Sequence, residues 1–327
     1  RSSDLHMRYI HGNRIRDRVI RHVLCDEILN PALNPYLIYN NGASQTGKGI
    51  SFSRNLFEKD LHNYYLEYGT NEGYIGFLDF SKFYDNIQHK EITKAILPKI
   101  DNKSGWLFCE ALDNFRIDVS YMTDKEFANC YNTKFDSIEY YMTIPNELKT
   151  GDKFMCKSVD IGDQISQSIG VYFPTYVDNY VKIVRGQKRY GRYMDDMYII
   201  CRSKDELKDI MEGIRECAKE IGLFINPNKT KICKLSGNYQ YLQLKYSLSS
   251  TGKVIKRINP KSITRERRKL KSYKHLLDIG QLKYEEIEQA YKSWMGSYKP
   301  LMSKQQFNNM RTLYYDLFGV KDVRWKK

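Results

Sequence analysis

The sequence predicts an α+β fold, and three observations carry that prediction. Short runs rich in aromatic and β-branched residues, Tyr74-Ile75-Gly76-Phe77-Leu78-Asp79-Phe80 and the stretch from Tyr190 to Cys201, read as strands. Between and after them, apolar residues recur at helical spacing, as in Leu207, Ile210, Met211, Ile214, Cys217 and Ile221. Beyond Thr251 the chain changes character and reads as basic helices interleaved with Tyr and Trp. A chain of 327 residues holds one large domain or two to three smaller ones.

Composition narrows the function. There are 53 Lys and Arg against 39 Asp and Glu, a formal net charge of +14, which suits a polyanionic partner. From Thr251 to Lys327 there are 19 basic and 7 acidic residues, so this segment alone carries +12. The seven cysteines (25, 109, 130, 156, 201, 217 and 233) include no Cys-x-x-Cys pair. That argues against a zinc site and a disulfide framework, and points to reduced thiols in a cytoplasmic protein. No apolar run is long enough to span a membrane, no signal peptide is expected, and the chain starts at Arg1 rather than Met. No internal repeat or low-complexity tract stands out.

The chemistry centres on three acids. In Tyr193-Met194-Asp195-Asp196 the flanking residues read as a strand, a tight turn at the acids and a second strand. On its own this is also what a plain Asp-Asp hairpin tip looks like. The third acid, Asp79, is flanked by Phe77, Leu78 and Phe80, where burial disfavours its charge unless it points to solvent from an edge strand. Brought beside Asp195 and Asp196 it would create like-charge repulsion that cations relieve. Carboxylate oxygens are hard ligands that suit Mg²⁺. Two such ions can clamp the attacking and leaving oxygens of a phosphoryl transfer.

Together these motifs resemble a family. Phe77-Leu78-Asp79-Phe80-Ser81-Lys82-Phe83-Tyr84-Asp85 resembles the first catalytic motif of reverse transcriptases, and Tyr193-Met194-Asp195-Asp196 their second. Between them, Ile161-Gly162-Asp163-Gln164-Ile165-Ser166-Gln167 is similar to the Gly-x-x-x-Ser-Gln motif of diversity-generating retroelements and related bacterial, partly phage-defence, enzymes. Group II intron and retron enzymes more often have Gln-Gly and Ser-Pro there. The resemblance runs from about Arg8 to Lys271. It implies a right-hand polymerase: fingers (1–70), a palm whose antiparallel sheet carries the acids (71–97 and 151–250), an intervening fingers/palm insertion (98–150), and an α-helical, basic thumb (251–327). It implies RNA-directed DNA polymerase activity in a bacterial retroelement or anti-phage system, using an RNA template, a DNA or RNA primer and dNTPs, alongside a structured non-coding RNA or accessory protein.

The resemblance also assigns residues. Asp79, Asp195 and Asp196 would be catalytic and hold two Mg²⁺, with Mn²⁺ as substitute and the Phe80 carbonyl as a further ligand. Tyr84, five residues after Asp79, sits where the family's steric gate faces the sugar. Arg8 matches a finger arginine on the incoming triphosphate, and His6 is the only counterpart to a second basic finger residue. Ile161, Gly162 and Gln167 belong to the nucleotide-binding motif. Lys48, in Asn41-Gly42-Ala43-Ser44-Gln45-Thr46-Gly47-Lys48-Gly49, falls in the family's template loop. This loop lacks the Walker pattern and equally fits an ordinary surface loop. Lys229, seven residues after Gly222, matches the lysine that approaches the pyrophosphate, where an ammonium acts as general acid; a plain turn lysine is equally compatible. Arg265, Arg267 and Arg268 lie on a basic helix suited to duplex phosphates.

Other elements need no function. Residues 14–24 read as a helix after a Gly12-Asn13 turn, and Arg14 and Arg21 also fit a solvated basic face. Residues 53–68 and 85–100 read as helices, and 104–150 has little periodicity. Residues 167–184 read as a helix that Pro174 either kinks or stands early in. Ser203-Lys204-Asp205-Glu206 has capping-box form, and Gly222 closes the helix that follows. Residues 239–246 alternate as a strand and resemble the family's primer-holding hairpin. Helices are expected over 260–277, 284–295 and 304–317. Two rivals share the palm: an RNA-dependent RNA polymerase, against which the bulky Tyr84 argues, and a non-enzymatic, maturase-like RNA-binding protein, against which three intact acids argue.

Overall fold

The computed structural model describes Ile10 and residues 12–320. The central element is strand β1 (Tyr74–Leu78), whose apolar run pairs antiparallel with the hairpin that carries the second acid pair. Strands β2 (Ile117–Asp118) and β3 (Phe154–Met155) form a separate two-stranded ribbon. Strands β4 (Tyr190–Tyr193), β5 (Asp196–Cys201) and β6 (Lys231–Lys234) complete a four-stranded sheet in the order β4-β5-β1-β6. Strands β7 (Tyr239–Tyr241), β8 (Leu244–Leu248) and β9 (Val254–Ile258) form a third, antiparallel sheet.

The two central strands are apolar on both sides because both faces are covered. On one face, Leu78, Met197, Ile199 and Cys201 share a core with Leu207, Ile210, Met211 and Ile214 of the helix Lys204–Glu220. On the other, the Tyr198 ring meets Phe57 edge-on at 4.8 Å, and its hydroxyl donates to Asp60 at 2.8 Å. The Ser203 side chain caps the helix by accepting from the Asp205 and Glu206 amides, a one-sided cap rather than the reciprocal box expected. The segment after Gln164 breaks where Pro174 predicts: a helix Gln164–Tyr172, a shorter one Thr175–Asn179, then a π-turn Tyr180–Val184.

Compactness divides the chain into two units. One contains the chain up to Asp60 together with Gly73–Cys233; the other contains Leu61–Glu72 and everything from Lys234 onward. The expected helical region therefore gains the third sheet and the end of the helix Ile50–Tyr68. Within this second unit, Tyr65 donates to the Ser250 carbonyl and Asn71 to that of Leu248. Residues 239–246 form two strands, not one, because Leu242 and Gln243 both adopt positive φ (40° and 73°) and make a two-residue turn. Helices Pro260–Asp278, Tyr284–Tyr298 and Lys304–Phe318 pack around Leu270, Ile287, Tyr291, Met295, Met310 and Tyr314.

The least periodic stretch, residues 104–150, shares a small separate core with the strand that follows it: Ile117, Val119, Met122, Cys130, Phe135 and Met155. Lys157 ties it down. Its side chain is fully buried, and its ammonium donates to the carbonyls of Cys130 (3.3 Å), Tyr131 (3.2 Å) and Thr133 (2.7 Å) at the end of the helix Asp124–Asn132. Burial pulls this amine down to about 8. Among the described residues no helix is long and apolar enough to cross a membrane, and the seven cysteines are unpaired.

Candidate active site

Strand register brings the acids together. Leu78 pairs with Met197, so continuing β1 by one residue sets Asp79 opposite Asp196. In the β4–β5 hairpin Tyr193 pairs with Asp196, leaving Met194 and Asp195 as the turn. Met194 has φ +53°, the first-position requirement of a primed two-residue turn, usually met by Gly. Two apolar strands and one tight turn thus deliver three carboxylates to one end of one sheet.

The electrostatics there are those of negative charge in excess. Asp79 is 4% exposed; its Oδ2 accepts from Lys229 Nζ at 2.7 Å, while its Oδ1 is buried with no hydrogen-bond partner. Asp196 is pushed up to about 7, by surrounding protein first, then by the charges of Asp195 and Asp79, with Lys229 opposing. Asp196 keeps solvent contact, so the like charges are the surer cause of that direction. Burial is the strongest single influence on Lys229 and lowers it, but the hydrogen bond to Asp79 and the charges of Asp79, Asp195 and Asp196 together raise it above its ordinary value, so it stays charged. Among the described residues no three His, Cys, Asp or Glu side chains stand in finished metal-ligand spacing. The orphaned Asp79 oxygen and the repelling acids nonetheless fit hard divalent cations: the donors are oxygen, and their charge is in surplus.

A buried ion pair that sequence reasoning missed holds the hairpin. Arg192 and Asp178 have fully buried side chains; Arg192 Nε donates to Asp178 Oδ1 at 2.9 Å and Nη2 to Oδ2 at 2.6 Å. The same guanidinium donates to the carbonyls of Met194 (3.1 Å) and Val171 (2.8 Å), and the Tyr190 hydroxyl donates to Asp178 at 2.7 Å. The only sequence signal was a charged residue in each of two otherwise apolar stretches.

Tyr84 is half-buried against Gly170, where an added Cβ would stand 3.0 Å from its hydroxyl. Burial, then the charge of Asp195, raises the Tyr84 phenol to about 12. Gly162 needs its missing side chain: φ is +104°. Asp163 then caps the helix by accepting from the Ile165 amide, and it takes hydrogen bonds from Asn13 and Arg21. Arg21 is therefore buried and paired, not part of a solvated face; Arg14 is exposed. Gly162 and Gln167 line a cleft of about 350 Å³ with Arg18, Arg21 and Gln164. Ile161 bridges Ile10 through the backbone. Arg8 and His6 lie outside the described residues.

The structure gives Lys48 a local job. Its ammonium is turned onto the carbonyls of Tyr39 (3.0 Å) and Asn41 (3.1 Å) and over the rings of Tyr39 and Phe52. Phe80 is buried, its backbone bridged to Ile225, and the Asp79 carbonyl accepts from Asn226 at 2.7 Å. In the second unit Arg265, Arg267 and Arg268 are exposed on their helix.

A sheet that gathers carboxylates from one strand end and one hairpin turn, flanked by helices, has the architecture of a right-hand polymerase palm. Residues 22–246 match the family described as reverse transcriptase (RNA-dependent DNA polymerase), and the chain belongs to that family. No curated protein matches the sequence. Among solved structures, it is similar to apo telomerase from Candida tropicalis (17% identity over 94% of this chain and 52% of that one, TM-score 0.47). It is also similar to telomerase from Candida albicans with a TWJ fragment of telomeric RNA (12% identity, 93% and 52% covered, TM-score 0.44). The chain spans about half the length of these proteins.

Proposed function

We propose that this chain extends a primer 3′-hydroxyl with dNTPs on an RNA template, in a bacterial retroelement or anti-phage setting. One observation carries the reading most directly: three carboxylates gathered at one sheet end, with the Asp79 Oδ1 buried and unpartnered. Asp79, Asp195, Asp196 and the Phe80 carbonyl would hold two Mg²⁺ (or Mn²⁺), which would supply charge neutralisation and Lewis-acid stabilisation when bound. The chain's own part is positioning and proton supply. The Met194–Asp195 turn presents its acid beside Asp196. Lys229 stays protonated beside the acids, on a side chain 61% exposed, and is free to donate a proton to the departing pyrophosphate. Tyr84 presents a phenol ring to the sugar of the incoming nucleotide, where bulk excludes a 2′-hydroxyl. Arg8, Gly162 and Gln167 bind that nucleotide, and Lys48 lies in the template loop.

The same reading casts residues 1–70 as fingers, 71–97 and 151–250 as palm, 98–150 as an insertion and 251–327 as thumb. Arg265, Arg267 and Arg268 then follow the duplex phosphates. A structured non-coding RNA or accessory protein completes the assembly, in the cytoplasm. The bacterial setting rests on Ile161-Gly162-Asp163-Gln164-Ile165-Ser166-Gln167. The test is primer extension on a defined RNA. Asp79→Ala or Asp195→Ala should abolish divalent-dependent extension while RNA binding persists; residual activity within about tenfold of wild type, ~1.4 kcal/mol of barrier, refutes the site.

A further inference from the structure

The segment that carries Tyr84 is gripped from outside the palm. Lys82 has φ +45°, an uncommon conformation for a non-glycine residue. Its ammonium pairs with Asp136 at 2.8 Å. The Ser137 hydroxyl donates to Asp85. Asn86, fully buried, donates to the Phe135 carbonyl at 3.2 Å and accepts from the Phe135 amide at 2.9 Å, while also donating to the carbonyl of Lys82 at 2.8 Å. Three consecutive residues, Phe135 to Ser137, thus hold Lys82, Asp85 and Asn86, which bracket Tyr84. Phe135 belongs to the small separate core between β2 and β3, so the grip is backed by a packed body and not by a loose loop. On the other side the Tyr84 carbonyl accepts from the Val159 amide at 3.0 Å, two residues after Lys157, whose ammonium donates to the Thr133 carbonyl.

We infer that residues 117–155 form a clasp that sets the position of the Tyr84 ring, making Asp136 and Ser137 positioning residues for sugar discrimination at the nucleotide site. The inference rests on the polymerase reading above and deepens it. A half-buried ring excludes a 2′-hydroxyl only if it cannot retreat. Its side chain packs on Gly170 and Phe83, but the backbone that carries it is fixed by the clasp. Losing the clasp frees the ring without touching an acid.

Single-nucleotide insertion on one RNA template, dNTP against the matching rNTP, measures this. The D136A/S137A variant should lower the dNTP-over-rNTP ratio of kcat/KM at least about fivefold with its Tm near wild type. In a Tyr84→Ala background the same pair of changes should add nothing, because the ring they position is gone. A ratio within about twofold of wild type, or a clasp effect undiminished in the Tyr84→Ala background, overturns the inference. Lys82→Gln breaks the ion pair from its half-exposed end and replaces D136A/S137A if that variant does not fold. Amide hydrogen exchange reads the clasp without turnover: the Asn86 and Val159 amides should lose protection in the variant. Unchanged protection overturns the inference even in a protein that extends no primer. Protection lost while wild type extends no primer condemns the polymerase reading and leaves the clasp standing.

Discussion

The sheet end around Asp79 and the helix Pro260–Asp278 treat charge in opposite ways. At the sheet end charge is inside: Asp79 is buried against Lys229, and Arg192 and Asp178 have no exposed surface at all. On the helix it is outside: Arg265, Arg267 and Arg268 face solvent, and the buried charged residue is Glu266, raised by its burial. Buried charge holds a few atoms in fixed relation at low dielectric and is costly to disturb. Exposed charge is adaptable and screened by salt. The contrast separates a place for chemistry from a place for a polyanion.

The largest way to break this contrast is at the buried pair. Arg192→Ala strands Asp178 and frees the Met194 carbonyl, so it should cost about 3–5 kcal/mol of unfolding free energy, read by denaturant titration. Asp178→Asn should cost less. A loss below about 1 kcal/mol for Arg192→Ala would mean that the hairpin is held by its strands alone. Next comes the exposed face. Replacing Arg265, Arg267 and Arg268 by Gln should leave Tm unchanged and weaken primer–template binding. The slope of log K against log salt should flatten by about 0.9 for each phosphate that is no longer neutralised. An unchanged slope shows that this face does not meet phosphate.

A subtler test sharpens the acidic side. Asp196 is pushed up to about 7 in the folded chain, above the ordinary carboxylate value of 3.8. The folded state therefore binds its proton more tightly than the unfolded chain, and stability from this group falls as pH rises from about 4 through 7. In chelator, Asp196→Asn should raise Tm at about pH 8 and leave it unchanged near pH 4. Equal effects at both values would show that the folded surroundings do not raise Asp196. The smallest expected effect is at Ile161, whose apolar side chain offers no hydrogen bond where many relatives of the motif carry Gln. Ile161→Gln should lower misincorporation several-fold, about 1 kcal/mol of discrimination, in the error spectrum of cDNA. An identical spectrum would leave Ile161 a packing residue.

Much of the candidate site was legible because its signals are local. The aromatic and β-branched run at 74–80, two adjacent acids between apolar strands, and Gly162 within its Gly-x-x-x-Ser-Gln motif each lie within a few residues. The three basic helices ended within a turn of where periodicity put them. Lys48 and Arg21 went differently. A lysine in a Gly-rich loop and an arginine on a basic helix look solvated in sequence, yet one turns onto its own loop carbonyls and the other is buried on Asp163, 142 residues away.

By itself, then, the sequence determined the acids, the strands that carry them, the turn at the adjacent pair and the helices of the basic region. These follow from side-chain period and turn chemistry, which act over a few residues. Tertiary structure alone decided that Arg192 is buried on Asp178, that Lys157 closes a distant helix, that Asn86 exchanges hydrogen bonds with Phe135, and that the sheet of β7, β8 and β9 joins the helical unit. A buried polar group must find a partner wherever the folded chain supplies one, and nothing in its neighbours along the sequence says where that will be.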